Sequence, residues 1–117
     1  MQQLILERSS NGAVEVLEVT GDIDIASASR LISGLNEAVG NCDHPVVVDL
    51  TAVDFMDSTG LALLLNAHRR LARREQGFAV VCVDGPVNRV FEITDMVDTL
   101  KVRPSREGAV NAAVGEG

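Results

Sequence analysis

Apolar residues alternate with polar ones in some stretches of the chain and form continuous runs in others. A short apolar run at 3–7 and an alternating run at 13–20 predict two strands. Ser9, Ser10, Asn11 and Gly12 stand between them, which is hairpin-turn chemistry with Asn-Gly supplying positive φ angles. We therefore expect the first two strands to be antiparallel neighbours.

Apolar runs at 45–50 and 78–83, and the brief stretch 100–103, predict three more strands. The first two of these runs lack polar alternation, which is typical of central strands covered on both faces. The segment 21–24 is expected to break the second strand, because it combines a glycine with two aspartates.

Between the strands, apolar residues recur at helical spacing. The first helix is predicted over 25–39, with Asp24 or Ser27 as its cap and Ile25 on its apolar face. The strongest helix is predicted from Thr59 to about 75, and two short ones over 87–93 and 106–114. Residues 115–117 are expected to fray. The order β-β-α-β-α-β-α-β-α predicts a single α/β domain over 1–117, with a mixed, mostly parallel sheet flanked by helices.

Composition narrows the possible functions. The 117 residues carry a net charge of -7 and only 3% aromatic residues, with no Trp or Tyr. Both features argue against nucleic-acid binding, which needs positive charge and stacking platforms. The N-terminus has no basic region followed by a long apolar run, so we expect no signal peptide or membrane span and a cytoplasmic protein. Cys42 and Cys82 show no paired spacing and are expected to be free thiols in a reducing compartment.

The stretch 53–61 joins an apolar strand to the strongest predicted helix and contains a serine, Ser58, where that helix begins. A serine nucleophile needs a base within hydrogen-bond reach. His68 lies on the same predicted helix about 15 Å further along, and His44 precedes the strand at its opposite end. Hydrolase chemistry is therefore disfavoured, and we expect no enzymatic activity.

Cofactor and metal sites are equally poorly supported by the residues present. Gly60 stands alone where a phosphate loop needs several glycines and a lysine, and the chain's single lysine is Lys101. No cluster of metal-ligating residues has the required spacing. Asp54 and Asp57, two carboxylates at a helix start, favour capping and charge matching. We expect no cofactor and no metal.

Two interpretations of Ser58 stay open from the local sequence. It is either a residue that only caps or begins a helix, or a hydroxyl that becomes phosphorylated. Phosphorylation adds about -1.5 to -2 charge and three acceptor oxygens. A helix N-terminus tolerates that charge, but beside Asp57 the phosphate would repel an acidic or apolar partner. Such a modification would change binding with little change in fold.

Three stretches carry a resemblance to a known family. Val-Asp-Leu-Thr-Ala-Val-Asp-Phe-Met-Asp-Ser-Thr-Gly-Leu at 48–61 resembles the signature of anti-sigma factor antagonists, the stand-alone STAS-domain proteins of bacteria. Thr-Gly-Asp-Ile-Asp at 20–24 is similar to the family's second signature, and the stretches 80–83 and 86–94 are similar to its third. The resemblance spans nearly the whole chain and implies a STAS-like fold.

The resemblance implies partner switching. In that family the unphosphorylated antagonist binds an anti-sigma factor, usually an ATP-dependent serine kinase, and so frees a sigma factor. Phosphorylation by the kinase releases the antagonist, and a serine phosphatase restores it. Carried over to this sequence, Ser58 is the phosphorylation site, with Thr59 as the minor alternative. The kinase's nucleotide is not a cofactor of this protein, and no nucleic acid or membrane is an expected partner.

The implied partner-binding surface lies around Ser58 and on the adjacent loop. Its members are Gly21, Asp22, Asp24, Phe55, Met56, Asp57, Ser58, Thr59 and Gly60. Whether Phe55 and Met56 belong to the core or to the interface is left open by the sequence. The arginines near the end of the second helix are interpreted as a solvated face that matches the helix dipole, although they could also influence partner choice by charge.

Two alternatives remain at this point. One is a STAS subunit of a transporter or signalling scaffold that never uses its serine as a switch. The other is a small α/β enzyme, which the missing base disfavours.

Overall fold

The computed structural model describes residues 3–115 and confirms the predicted order of elements. In chain order they are β1 (Ile5–Asn11), β2 (Val14–Ile23), α1 (Ala28–Val39), β3 (Val46–Met56), α2 (Ser58–Ala72), β4 (Phe78–Val81), α3 (Pro86–Ile93), β5 (Val102–Arg103) and α4 (Arg106–Ala113).

One mixed sheet organises these elements, as the sequence predicts. Its strand order is β1-β2-β3-β4-β5; β1 and β2 pair antiparallel, and every later neighbouring pair is parallel. The larger buried cluster lies between the sheet and the three helices α1, α2 and α3, and a smaller one lies beneath α4. Because both faces are covered, the first half of β3 is a continuous buried run, Val46 to Leu50.

The opening hairpin differs in detail from the sequence-based prediction. β1 extends to Asn11, which pairs with Val14, so the two-residue loop consists of Gly12 and Ala13. Gly12 has a φ of 64°, but Asn11 is not among the residues with positive φ. The prediction that Asn-Gly together form the turn is therefore wrong by one residue, because Asn11 continues the ladder.

Strands β2 and β3 are longer than their apolar patterns indicate. The predicted break at 21–24 is wrong, because β2 continues to Ile23, and β3 continues past Leu50 to Met56. The two strands support each other along this extension, with Ile23 opposite Met56. Register shifts between 18 and 20 and between 21 and 22 accommodate the irregular sequence.

Several ends also differ from the predictions. α1 begins at Ala28, so Ile25 lies outside the helix and is 80% exposed. α2 ends at Ala72 where the periodicity predicts an end near Glu75, and Glu75 has a φ of 58°, which a helix does not allow. β4 and β5 are shorter than predicted. The starts of α3 at Pro86 and of α4 after Ser105 agree with the predictions.

Some sequence-based expectations concern the chain ends. The predicted fraying of Glu116 and Gly117 lies outside the described residues. Within the described part of the chain, no helix combines the length and the apolar character that a membrane crossing requires.

Candidate functional site

The pairing of β2 with β3 brings two distant segments together at the carboxyl ends of the strands. Asp22 lies opposite Phe55 and Ile23 opposite Met56. The Asp57 amide then donates to the Ile23 carbonyl at 3.1 Å, which fixes the turn before α2 against the end of β2. The loop at 21–24 and the turn at 57–60, which we call the Ser58 turn, therefore form one surface. This surface lies at the sheet edge where α/β proteins place their sites.

Asp57 is the N-cap of α2. Its Oδ1 accepts hydrogen bonds from the amides of Thr59 at 2.9 Å and Gly60 at 3.4 Å. Its backbone is extended, with φ -98° and ψ -173°, as an N-cap requires. Two of the free N–H groups at this helix start are thus satisfied by a carboxylate. This carboxylate also matches the positive end of the helix dipole.

Ser58 is the first residue of α2 and is exposed. Its hydroxyl makes no hydrogen bond with any of the residues 3–115. Because Asp57 already caps the helix, the Ser58 side chain has no capping role. The hydroxyl is therefore free to react without breaking a structural contact.

Two buried glycines let the backbone segments approach closely at this surface. A Cβ on Gly60 would lie 2.6 Å from Ile23 Cγ2 and 2.6 Å from Met56 Cγ. Gly21 has a φ of 114°, and a Cβ there would lie 2.6 Å from the Gln3 carbonyl oxygen. Both predicted site glycines, together with buried Met56, therefore shape the surface from beneath.

The loop between β2 and α1 is held by a compact turn. The Ser27 amide donates to Asp24 Oδ1 at 3.1 Å, and the Asp24 amide donates to Ser27 Oγ at 3.0 Å. The Ser27 hydroxyl lies 3.0 Å from the Asp22 carbonyl oxygen, to which it can donate. Both candidate caps named from the sequence therefore take part, although Ser27 makes no side-chain bond to the α1 amides.

Exposed apolar side chains flank the Ser58 turn. Phe55 is 51% exposed whereas its neighbour Met56 is 3% exposed, so Phe55 faces solvent and Met56 belongs to the core. Ile25, on the adjacent loop, was not identified as a surface residue by the sequence pattern. The sequence does contain a sign of this position. Ile25 precedes Ser27, one of the two candidate caps, and a helix that is capped by Ser27 excludes Ile25.

Acidic residues lie near the same ends of the strands. Asp22 lies near the end of β2 and Asp24 follows that strand. Asp54 lies near the end of β3 and Asp57 follows it, and Asp84 follows β4. Parallel strands end at the same edge, so the carboxylates share one side of the molecule. Within the described chain, no group of three or more His, Cys, Asp or Glu side chains is arranged to hold a metal ion.

The histidines are remote from Ser58. His44 precedes β3, whose 11 residues span on the order of 35 Å, and His68 lies about 15 Å along α2. Two clefts occur at this side of the fold, with volumes of about 150 and 190 Å³, and Ser58 lines neither. Ser58 therefore lies outside both clefts and out of hydrogen-bond reach of either histidine.

The cysteines are free, as the sequence predicts. Burial raises the pKa of the Cys82 thiol to about 11, with a smaller contribution from the Asp49 carboxylate. The thiol is therefore protonated at neutral pH and is a poor nucleophile.

Comparisons with known proteins agree with this geometry. The profile of the STAS domain matches residues 6–109. An anti-sigma-B factor antagonist of Listeria monocytogenes is 30% identical over 93 residues, covering 80% of this chain and 81% of the relative. The crystal structure of an anti-sigma factor antagonist from Mycobacterium paratuberculosis superposes with a TM-score of 0.88 at 28% identity, covering 96% of this chain and 95% of that one. The Bacillus cell fate determinant SpoIIAA in its phosphorylated form shares the fold, with a TM-score of 0.62 at 17% identity over 93% of this chain and 97% of that one.

Proposed function

The chain belongs to the STAS family, among the anti-sigma factor antagonists, and we propose that phosphorylation of Ser58 controls its binding to an anti-sigma factor. The unphosphorylated protein binds the anti-sigma factor and frees a sigma factor for transcription. An anti-sigma factor with serine kinase activity modifies Ser58 and is released, and a serine phosphatase reverses the modification. The protein itself acts in the cytoplasm as a regulatory binding module and catalyses no reaction.

The observation that carries this proposal is the free, exposed hydroxyl of Ser58 beside an occupied helix cap. Asp57 takes the Thr59 and Gly60 amides, so a phosphate on Ser58 would not find these donors vacant. The phosphate would add about -1.5 to -2 charge to a surface that already carries Asp57 and Asp22. The added repulsion and the hydration of the phosphate would disfavour any partner whose acidic or apolar groups dock there.

The apolar groups beside Ser58 support a binding role. Phe55, near the end of β3, and Ile25, on the loop after β2, are both exposed, and one or both can act as anchors that a partner buries. A charged phosphate next to these anchors would have to lose water whenever a partner covered them. Because Ser58 makes no hydrogen bond within the described residues, its modification should affect this docking step and leave the fold unchanged.

The fold neighbours lend further support. SpoIIAA, which shares this fold, was solved in a phosphorylated form. Its identity of 17% supports the shape alone, so the assignment of the modified residue to Ser58 depends on the geometry described above. Thr59 is the minor alternative, because it is less exposed than Ser58 and its amide already donates to Asp57 Oδ1.

The test is a phosphorylation and binding assay with the anti-sigma factors encoded by the same organism. Wild-type protein, Ser58→Ala and Thr59→Val are incubated with each candidate and ATP, and the phosphate is located by mass spectrometry. We expect one candidate to modify the wild type and Thr59→Val at Ser58 and to leave Ser58→Ala unmodified. Modification of Ser58→Ala at an unchanged rate would refute the assignment.

The binding arm uses a charge introduced at Ser58. Ser58→Asp should bind the anti-sigma factor at least ~10-fold more weakly than wild type, which corresponds to about 1.4 kcal/mol. Ser33→Asp is a matched control, because Ser33 is also exposed but lies on α1. Equal affinity of Ser58→Asp and wild type would show that charge is not the switch. Stable association with a membrane transporter in place of any anti-sigma factor would instead favour a non-switching STAS subunit.

A further inference from the structure

Four arginines cluster at the end of α2 that lies opposite Ser58. They are Arg69, Arg70, Arg73 and Arg74, and we call them the arginine cluster. α2 has 15 residues, so the cluster lies about 20 Å from the Ser58 turn. The chain as a whole carries a net charge of -7, yet no carboxylate among the residues 3–115 lies within ion-pair distance of these four side chains. The cluster is thus an unneutralised basic surface on an acidic protein.

Local helix stability does not require four arginines there. Cations near a helix C-terminus gain about 0.3–1 kcal/mol each from the dipole. However, Arg69 and the C-cap residue Arg73 are a like-charged pair at i, i+4 spacing, and such a pair costs about 0.2–0.5 kcal/mol. Arg70 also donates to the Asn36 side chain at 2.7 Å, a neutral partner. One or two cations would satisfy the dipole, so the remaining positive charge is available to a partner.

A cleft lies beside the cluster, at the N-terminal ends of β3 and β4. Its volume is about 470 Å³, and we call it the β4 cleft. Its lining includes Pro45, His68, Ala72, Phe78, Lys101 and Val114. Val114 is 60% exposed, which leaves an apolar edge open to solvent. Glu75 also lines the cleft and is a carboxylate within this otherwise neutral or basic surface.

The arginine cluster adjoins the cleft along the end of α2. Burial lowers the pKa of His68, and the positive charges of Lys101 and Arg69 lower it further. Arg69 therefore lies close enough to influence a residue that lines the cleft. The Lys101 ammonium donates one hydrogen bond, to the Ala112 carbonyl at 3.2 Å, and keeps two further donors. His68 and Ala72 line the cleft and are the sequence neighbours of Arg69 and Arg73, so the arginine cluster adjoins the cleft although none of its four side chains lines it.

We propose that the arginine cluster and the β4 cleft together form a second docking surface, which binds an acidic peptide segment of a partner protein. An apolar side chain of the segment enters the cleft, and its Asp or Glu residues pair with the arginines, whose planar groups suit carboxylates. This surface lies at the opposite end of α2 from Ser58, so a partner can bind there independently of the proposed phosphorylation switch.

The charge distribution favours a short acidic segment over other anions. A nucleic acid or an anionic membrane presents an extended negative surface, which would also meet the acidic remainder of this protein. A short peptide can pair with the cluster alone. Its apolar residue also gains from burial in the cleft, which a phosphate backbone would not fill.

The experiment is a selection from a display library of random peptides on the full-length protein, followed by affinity measurement of the selected peptides. We expect enrichment of peptides with several Asp or Glu residues around one apolar residue. Binding to a duplex DNA and to phosphatidylglycerol vesicles is measured in parallel. Failure to enrich peptides above background, or enrichment without acidic residues, would overturn the proposal.

Variants locate the binding site. Arg73→Glu should weaken the selected peptides roughly 10-fold or more, because it replaces attraction by repulsion. Arg89→Glu is the matched control, an equal charge change at an exposed position on α3, and should alter affinity by less than roughly 3-fold. Ala72→Trp, which fills the cleft from an exposed helical position, should also weaken binding. Circular dichroism checks that each variant folds.

The remaining outcomes separate this proposal from the function proposed above. Ser58→Asp should bind the peptides as wild type does. Peptides that no longer bind the Ser58→Asp variant but still bind the Arg73→Glu variant would place the binding site at the Ser58 surface. That result would overturn the proposed second docking surface. Arg73-dependent binding of DNA or vesicles without peptide binding would overturn it as well, and neither result bears on the phosphorylation of Ser58.

Discussion

The Asp57 carboxylate caps α2 by accepting a hydrogen bond from the Thr59 amide at 2.9 Å. The residue that precedes the proposed phosphorylation site thus fixes the helix that this site begins. The helix cap, Asp57, and the proposed phosphorylation site, Ser58, are adjacent in sequence but have separate roles, because the Ser58 side chain contributes nothing to the cap.

Loss of this cap should destabilise the protein measurably. Asp57→Ala should lower the free energy of unfolding by about 1 kcal/mol, since helix amides lose their acceptor. Asp57→Asn keeps a capping oxygen and should recover most of the loss. Because the chain has no Trp or Tyr, urea unfolding is best followed by far-UV circular dichroism. Equal stability of all three proteins would show that the cap is energetically unimportant.

Gly60 should not tolerate a side chain. In Gly60→Ala the new Cβ would approach Ile23 Cγ2 and Met56 Cγ to 2.6 Å, so α2 must move away from the sheet. We expect a loss of about 1–3 kcal/mol, as for an overpacked core, measured by urea unfolding. Gly108→Ala in α4 is the control, because its Cβ would be 3.1 Å from Ser105 Oγ, its nearest neighbour. An equal effect of both substitutions would contradict the packing argument.

The residues that were predictable from sequence are those whose local pattern agrees with the fold. Leu64 and Leu71 recur at helical spacing and are buried, and Ser105 caps α4 by accepting from the Gly108 amide at 3.1 Å. Ile25 was misplaced because its spacing fits a helix, whereas the Asp24–Ser27 turn excludes it. The start of α1 therefore depends on hydrogen bonds between residues close in sequence, and the spacing of apolar residues does not reveal those bonds.

The extensions of β2 and β3 were unpredictable for a different reason. Residues 51–55 have no continuous apolar run, and only the pairing with β2 keeps them in the strand. The same long-range pairing brings Asp22 to Phe55. A sequence motif could identify both segments as members of one site, but the contact between them is a property of the sheet.

Asp49 is a buried carboxylate that depends on α4. It is 6% exposed, accepts from Arg106 Nη2 at 2.7 Å, and also accepts from the Thr51 amide at 2.9 Å. Burial alone would raise its pKa, but the hydrogen bonds from Thr51 and Arg106 outweigh that effect and leave the pKa of Asp49 below its usual value. Arg106 therefore fixes the start of α4 against β3.

Removal of Arg106 should cost more than removal of its exposed partner. Arg106→Ala leaves a buried carboxylate with fewer donors and should lower the unfolding free energy by about 1–3 kcal/mol. Glu18→Ala removes only the exposed pair, whose distance is 2.9 Å, and should cost less than about 1 kcal/mol. Both are measured by urea unfolding at neutral pH. A larger loss in Glu18→Ala would reverse this assignment.

The two histidines should give opposite pH dependences of stability. Burial, Lys101 and Arg69 lower the pKa of His68, so the unfolded chain binds its proton more tightly than the folded one. The stability associated with His68 is therefore present above the unfolded pKa of about 6.5 and is lost as the pH falls below it. His68 Nδ1 has no hydrogen-bond partner in the part of the chain that the structure describes, so replacing the ring breaks no hydrogen bond at this atom.

His44 has the reverse sign. Its Nε2 lies 2.7 Å from the Ala38 carbonyl oxygen and its Nδ1 2.9 Å from the Asp43 carboxylate, and these contacts raise its pKa. The stability that it contributes is fully present below about pH 6.5 and is lost as the pH rises through its folded pKa. In the wild type the two histidines therefore change the stability in opposite directions as the pH changes, and only substitutions can separate their contributions.

Urea unfolding of His68→Leu and His44→Asn between pH 5 and 8 tests both assignments together. Relative to wild type, His68→Leu should become more stable as the pH falls, because the destabilising protonation of His68 is removed. His44→Asn should become less stable over the same interval, because a favourable proton site is lost at the end of α1. Parallel pH profiles for the two variants would contradict the proposed surroundings of at least one ring, and the sign of each difference from wild type would identify which one.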